Sequence, residues 1–172
     1  MTNNWEALIR NVPDFPQPGV QFKDITTLLR DGAAFQAVID QLVDHYRAQQ
    51  IDIVAGVESR GFIFSAPVAY RLGAGLVPIR KPGKLPAATV QVSYSLEYGT
   101  NTLQMHADAF ESGARVLLVD DLLATGGTIA AAAELVQRLG GEVVGMAFVI
   151  ELTYLNGRDL LGDHEIFSLV KY

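Results

Sequence analysis

The stretch VLLVDDLLATGGT, residues 116–128, joins an apolar run to two adjacent carboxylates and a turn of small residues. The apolar run Arg115–Val119 predicts a buried strand, and Thr128–Leu139 is rich in good helix formers and is followed by two glycines. The stretch therefore predicts a strand, a turn and a helix in succession. Because open parallel sheets bind ligands beyond the carboxyl ends of their strands, the carboxylates and the turn lie where a ligand would bind.

Short apolar runs alternate with helical patterns along the rest of the chain. Ala33–Gln49 has apolar residues at spacings of three and four, which predicts a surface helix. The other predicted elements are a helix at Phe62–Leu72 and strands at Asp52–Val57, Leu76–Ile79 and Val143–Ile150. We therefore expect an α/β fold, an open and mostly parallel sheet with helices on both faces.

The segment Lys81–His106 does not follow this alternation. It begins with the turn residues of KPGKLP, and its middle part, VQVSYSLEYG, alternates apolar and polar residues. This pattern predicts a half-exposed hairpin with no obvious place in the main sheet.

Composition limits the class of protein. The chain has 172 residues, of which 49% are hydrophobic and 19% charged, and it contains no cysteine. These values are typical of one globular domain, here residues 1–172, and no apolar run reaches the ~20 residues that a membrane helix needs. The formal net charge of −6 disfavours nucleic acid as a partner. Because the N-terminus lacks the pattern of a secretory signal, we expect a cytoplasmic protein.

The turn Ala124–Thr128 has the features of an anion site. Gly126 and Gly127 would let the backbone approach a ligand, and the first N–H groups of the following helix would point at it. The hydroxyl groups of Thr125 and Thr128 add donors, whereas the Walker A and GxGxxG sequences are absent. The turn therefore suits a single terminal phosphate.

Asp120 and Asp121 precede this turn and could accept hydrogen bonds from the hydroxyl groups of a sugar attached to the phosphate. Taken separately, each feature has a simpler explanation, because paired glycines often form only a turn and an Asp at a strand end often caps a helix. Adjacent carboxylates repel each other, however. Their combination with the turn is hard to explain by stability alone and favours a function.

The same stretch resembles the phosphoribosyl pyrophosphate signature of the type I phosphoribosyltransferase family, in the form carried by its adenine-specific branch. Further segments are similar to blocks of that family in the same order: FPQPGVQFKDITTLL (15–29), GVESRGFIF (56–64), IRKPGKLP (79–86) and SYSLEYG (93–99). The resemblance implies the family fold, with an N-terminal hood at about residues 1–30 and a flexible hairpin lid at about residues 81–106. It also implies a homodimer and Mg²⁺-dependent transfer of a 5-phosphoribosyl group from phosphoribosyl pyrophosphate to N9 of adenine, giving AMP and pyrophosphate in purine salvage.

Pyrophosphate is a highly charged leaving group, so cations are needed where its charge develops. The basic residues of two loops meet this need, although lone loop cations often face only solvent, which is the simpler interpretation of Lys84. The predicted pyrophosphate site consists of Glu58, Ser59, Arg60, Arg80, Lys81 and Lys84. The resemblance implies a cis peptide bond between the first two of these. Arg60, Asp120 and Asp121 are also predicted to be catalytic. Arg60 would meet the negative charge that develops on pyrophosphate, and the two aspartates would favour the ribose, which becomes cationic as its bond to pyrophosphate breaks.

For the base, the resemblance implies contacts from Gln21, Phe22 and Lys23, with Phe22 stacking on adenine. An ordinary core position is the alternative interpretation of Phe22. The family usually has a branched apolar residue in place of Gln21 and often has arginine in place of Lys23.

The resemblance assigns three residues to the lid. Glu97 matches a catalytic carboxylate that approaches N7 of adenine, and Tyr98 and His106 belong to the closing segment. The three histidines of the chain show no spacing that suggests a zinc site. We expect no direct protein ligand to the metal, so that Mg²⁺ is held mainly by substrate and water.

Two rival functions stay open at this point. One is transfer to a different base, such as hypoxanthine, guanine, xanthine or orotate, since those enzymes share the acidic pair and the turn. The other is a regulator that uses the fold only to sense the ligand. A regulator would be expected to carry a DNA-binding segment and a basic face, which the acidic composition disfavours.

Overall fold

The computed structural model describes residues 5–95 and 99–172. Its helices and strands are, in chain order, β1 (Arg10–Pro13), β2 (Gln21–Asp24), α1 (Thr26–Leu29), α2 (Gly32–Tyr46), β3 (Ile53–Val57), α3 (Gly61–Leu72), β4 (Gly75–Ile79), β5 (Thr89–Ser95), β6 (Thr100–His106), β7 (Arg115–Leu123), α4 (Gly127–Arg138), β8 (Glu142–Glu151) and β9 (Ile166–Lys171). Among the helices of these residues, none has the length and apolar character needed to span a membrane.

Five of these strands form an open parallel sheet in the order β4-β3-β7-β8-β9. Alternate residues of β7 point to opposite faces, so that Leu117 and Val119 pack with α2 and α3 while Val116 and Leu118 pack with α4. The predicted α/β class, with helices on both faces of a parallel sheet, is therefore confirmed.

The strand β7 is longer than the sequence predicts. The expected strand ends at Val119, whereas the ladder to β8 continues through Asp120, which pairs with Phe148, as far as Leu123. The extension forms because β8 is also long and supplies a parallel partner up to Glu151. Asp120 and Asp121 thus lie inside the last part of a strand, which fixes their backbone more rigidly than a loop would.

The segment after β4 forms a separate antiparallel pair, β5 and β6, as its alternating pattern predicts. Val92, Leu103 and Met105 are buried against the α4 side of the sheet, and Arg80 forms an antiparallel bridge with Gln104. The two strands are therefore packed onto the main body. The sequence analysis does not predict β1 and β2, which form a small hairpin near the N-terminus, the short helix α1 or the edge strand β9.

Candidate active site

The turn between β7 and α4 is built from closely packed backbone. Gly126 caps α4 with a φ of +87°, a conformation that suits glycine. A Cβ at Gly126 would collide with the carbonyl oxygen of Gly157, and a Cβ at Gly157 would collide with the carbonyl of Ala124. A small recess of about 60 Å³ lies beside the start of α4 and is lined by residues that include Thr125 and Thr128.

Asp121 is buried and its carboxylate forms an ion pair with Arg60 at 2.5 Å from Nε. The backbone N–H of Asp121 donates to Oδ1 of Asp120 at 2.9 Å. Burial, and then the neighbouring charge of Asp121, raises the pKa of Asp120 well above its ordinary value. Hydroxyl groups of a ligand that donate to this carboxylate would favour its charged form.

Gly61, the first residue of α3, lets that helix approach the acidic pair. A Cβ at this position would lie 2.8 Å from Oδ1 of Asp120 and 3.1 Å from the carbonyl oxygen of Val119. The glycine of the SRG sequence therefore brings the turn at Arg60 against β7.

Glu58 organises the loop that follows β3, and its peptide bond to Ser59 is cis, as the resemblance implies. Its carboxylate accepts hydrogen bonds from Nε of Arg80 at 3.1 Å and from the backbone N–H of Lys81 at 2.5 Å. Burial alone would raise the pKa of Glu58, but these donors outweigh it and the pKa is lowered. Arg80 is thus held against Glu58, whereas Lys81 and Lys84 line the adjoining cleft.

These segments surround one cleft of about 500 Å³ at the carboxyl edge of the sheet, which we call the charged cleft. Its lining consists of Glu58, Ser59, Arg60, Lys81, Lys84, Asp120, Asp121, Leu122, Ala124 and Thr128. All but Leu122 are predicted from the sequence. The cleft therefore combines the adjacent carboxylates of Asp120 and Asp121, the turn before α4 and three cationic side chains.

A second cleft of about 470 Å³ lies beside the first and contains Phe22. Phe22 is half-buried rather than part of the core, and Phe15 packs edge-on to it at 5.0 Å between ring centroids. The guanidinium carbon of Arg60 lies 5.5 Å from the Phe22 ring centroid. Arg60 lines both clefts and so connects them.

Gln21 does not join Phe22 in this cleft. Neighbouring residues of a strand point to opposite faces, and Gln21 lines a separate groove with Tyr172, where its amide oxygen accepts from Asn11 at 2.7 Å. Lys23 borders both the cleft of Phe22 and the groove of Gln21. Its Nζ atom lies 3.8 Å from the Tyr172 ring centroid.

Of the three predicted lid residues, the structure describes only His106. Glu97 and Tyr98 lie outside the described residues. His106 pairs with Thr89 at the opposite end of the β5–β6 hairpin and does not line the cleft. Tyr94 of this hairpin does reach the turn before α4, at Thr128, a contact that the sequence pattern does not indicate.

A partly buried ion pair lies next to the residue that packs on the turn. The Glu151 carboxylate accepts from Nε and Nη2 of Arg158 at 2.6 and 2.7 Å and from the Ser168 hydroxyl at 2.5 Å. Arg158 adjoins Gly157, whose backbone contacts the turn. The hydrogen bond from Arg158 is the main cause that lowers the pKa of Glu151 to about 2.

We expect Glu151→Gln to lower the free energy of unfolding by about 2–3 kcal/mol at pH 7, because the lowered pKa of Glu151 measures the stability gained by its charge. That gain is present above the unfolded pKa near 4.5 and is lost as the pH falls toward 2. The difference in the free energy of unfolding between the wild type and Glu151→Gln, measured with urea, should therefore be about 1 kcal/mol smaller at pH 3.5 than at pH 7. Glu134→Gln, which removes an exposed pair with Arg138, is the control and should change stability by under ~0.5 kcal/mol. A Glu151→Gln deficit that does not depend on pH would contradict this account.

Comparison with known protein families agrees with this arrangement. A model described as the phosphoribosyl transferase domain matches residues 24–167, which include every residue that lines the charged cleft and the whole of strands β3, β4, β7 and β8. The chain belongs to the phosphoribosyltransferase family.

Individual relatives narrow the assignment. The chain is 68% identical over 166 residues to an adenine phosphoribosyltransferase from Chloroflexus aurantiacus, covering 96% of each chain. It is similar to a solved adenine phosphoribosyltransferase from Thermoanaerobacter pseudethanolicus, with a TM-score of 0.97, 51% identity and full coverage of both chains. A solved adenine phosphoribosyltransferase from Saccharomyces cerevisiae, complexed with an imino-altritol bisphosphate and adenine, gives a TM-score of 0.92 at 37% identity, covering 98% of this chain and 97% of that chain. Within the family, the chain is an enzyme of the adenine phosphoribosyltransferase group.

Proposed function

We propose that this enzyme transfers the 5-phosphoribosyl group of phosphoribosyl pyrophosphate to N9 of adenine, giving AMP and pyrophosphate in purine salvage. The observation that carries the proposal is the position of Arg60, which lines both the charged cleft and the cleft of Phe22. A reaction that joins a sugar phosphate to a flat base needs two such subsites in contact.

In the charged cleft, we assign the 5-phosphate to the turn Ala124–Thr128, including Thr125, Gly126 and Gly127. The ribose hydroxyls would donate to Asp120 and Asp121, whose negative charge also favours the cationic ribose of the transition state. Ser59, Arg60, Lys81 and Lys84 would face the departing pyrophosphate. Arg80 would act behind them through its ion pair with Glu58.

The metal is proposed to arrive with the substrate. No group of three or more potential metal ligands is present among residues 5–95 and 99–172, and the Asp121 carboxylate is already paired with Arg60. This donor set fits Mg²⁺ held by pyrophosphate oxygens and water, with Asp120 and Asp121 as the nearby carboxylates. The ion would neutralise charge on the leaving group.

The base is proposed to bind in the second cleft. The Phe22 ring offers a face for adenine, and Phe15 completes an aromatic wall. Gln21 lines a different groove, which makes a direct contact of its side chain with the base less favourable than one from Phe22. The roles of Glu97 as a catalytic carboxylate, and of Tyr98 in closing the lid, belong to the proposal through the family resemblance alone.

The hood, the hairpin lid, a homodimer and a cytoplasmic location complete the proposal. Tyr70 on α3 and Leu76 on the edge strand β4 are exposed apolar side chains, 85% and 47% exposed. Such residues are compatible with a contact between two copies of the chain.

The experiment is incubation with phosphoribosyl pyrophosphate, Mg²⁺ and one nucleobase at a time, with chromatographic identification of the nucleotide. We expect AMP from adenine and no comparable product from hypoxanthine, guanine, xanthine or orotate. Leaving out Mg²⁺ and adding a chelator should stop the reaction. Faster product formation from another base would identify that base, and not adenine, as the substrate. Ligand binding without any product would favour a regulator.

A further inference from the structure

Tyr94 joins the β5–β6 hairpin to the turn between β7 and α4. Its phenolic oxygen lies 2.9 Å from Oγ1 of Thr128, in the first turn of α4. Its ring packs over Gly127, where a Cβ would lie 3.3 Å from Cδ2 of the ring. Tyr94 is half-buried, so this hydrogen bond is partly shielded from water.

Other contacts already hold the hairpin against the main body. At the other end of α4, Nη1 of Arg138 donates to the carbonyl oxygen of Gln91 at 2.7 Å, and three apolar side chains of the hairpin are buried in the core. The hydroxyl group of Tyr94 therefore adds little anchoring that other contacts do not already supply. Its specific effect is on the hydroxyl group of Thr128.

Proton counting defines that effect. Thr128 lines the charged cleft, and its hydroxyl group has one proton. A phosphate dianion only accepts, so Thr128 must donate to it, and the Tyr94 hydroxyl must then donate to Oγ1 of Thr128. With the phosphate absent, either hydroxyl group can be the donor of this pair.

We propose that Tyr94 is a positioning residue for phosphoribosyl pyrophosphate: its O–H donates to Thr128 and so directs the Thr128 proton at the 5-phosphate. This inference rests on the proposed function, because it assigns the phosphate to the same turn. It also links occupation of the turn to the hairpin, since a bound phosphate fixes the direction of the hydrogen bond between them.

The test is Tyr94→Phe, which keeps the ring over Gly127 and removes only the hydroxyl group. We expect the KM for phosphoribosyl pyrophosphate and the Kd for AMP, measured by calorimetry, to rise about tenfold. The kcat and the KM for adenine should stay within about twofold. Ser93→Ala is the matched control, because it removes a hairpin hydroxyl whose hydrogen bond runs across the two strands, to Thr102 at 2.8 Å, and not to α4.

A double-mutant cycle separates positioning from a general structural effect. In a Thr128→Val background, Tyr94→Phe should have no further effect on AMP binding, whereas in Thr128→Ser, which keeps the hydroxyl, the loss should persist. Unchanged AMP binding in Tyr94→Phe, or an equal loss in the Val background, would overturn the inference. A wild-type protein that neither binds AMP nor forms it would instead contradict the proposed function.

Discussion

Replacing Asp120 and Asp121 together by Asn is expected to lower the rate of AMP formation about 10³-fold or more. Amides keep the shape of the carboxylates but lose the negative charge that stabilises a cationic ribose. Each amide also replaces one of the two acceptor oxygens with an NH2 group, which only donates and cannot accept from a ribose hydroxyl. Steady-state assays with adenine and phosphoribosyl pyrophosphate would measure this loss.

The same double variant removes the ion pair of Asp121 with Arg60, so its fold must be checked. Circular dichroism and thermal unfolding should show a folded protein, because both side chains border a cleft rather than the apolar core. Asp108→Asn, at an exposed position away from the cleft, is the control and should keep full activity. A folded double variant with wild-type turnover would remove Asp120 and Asp121 from the mechanism.

Gly126→Ala is expected to lower the free energy of unfolding by about 2–4 kcal/mol and to weaken binding of phosphoribosyl pyrophosphate strongly. The positive φ of this position is unfavourable for a residue with a Cβ. The new Cβ would also collide with the carbonyl oxygen of Gly157. Relief of that collision must move the turn that we assign to the phosphate. Urea unfolding and calorimetric titration with AMP would measure the two effects.

Gly113→Ala provides a matched control. Gly113 has a φ of +88°, almost that of Gly126, but a Cβ there would meet no atom within 4 Å. This variant should lose only about 1 kcal/mol and keep its affinity for AMP. If both variants lost the same stability and both kept their affinity, the contact between Gly126 and Gly157 would have no role in forming the site.

Most of the site was predictable because its residues lie in short local patterns. The strand, the acidic pair and the glycine turn are contiguous, and an α/β alternation places their end at the ligand edge of the sheet. The length of β7 was not predictable from its own residues, since it depends on the equally long partner β8. Leu122 enters the cleft lining through that extension.

Several contacts around the turn are not indicated by any sequence pattern. Gly157 packs on Gly126, and Glu151 pairs with Arg158, although nothing in the local sequence indicates either contact. The separation of Gln21 from Phe22 has a local cause, but it becomes visible only when residues 21–24 are known to form a strand. The sequence likewise shows Tyr94 only as one aromatic residue of an alternating hairpin, because its contact depends on where α4 packs against that hairpin.

The most direct test of the account is a crystal structure of this enzyme with AMP bound. We predict that the phosphate accepts hydrogen bonds from backbone N–H groups and hydroxyls of Thr125–Thr128, that the ribose hydroxyls donate to Asp120 and Asp121, and that the adenine ring lies against Phe22. A phosphate bound away from this turn, or an adenine ring outside the Phe22 cleft, would contradict the account.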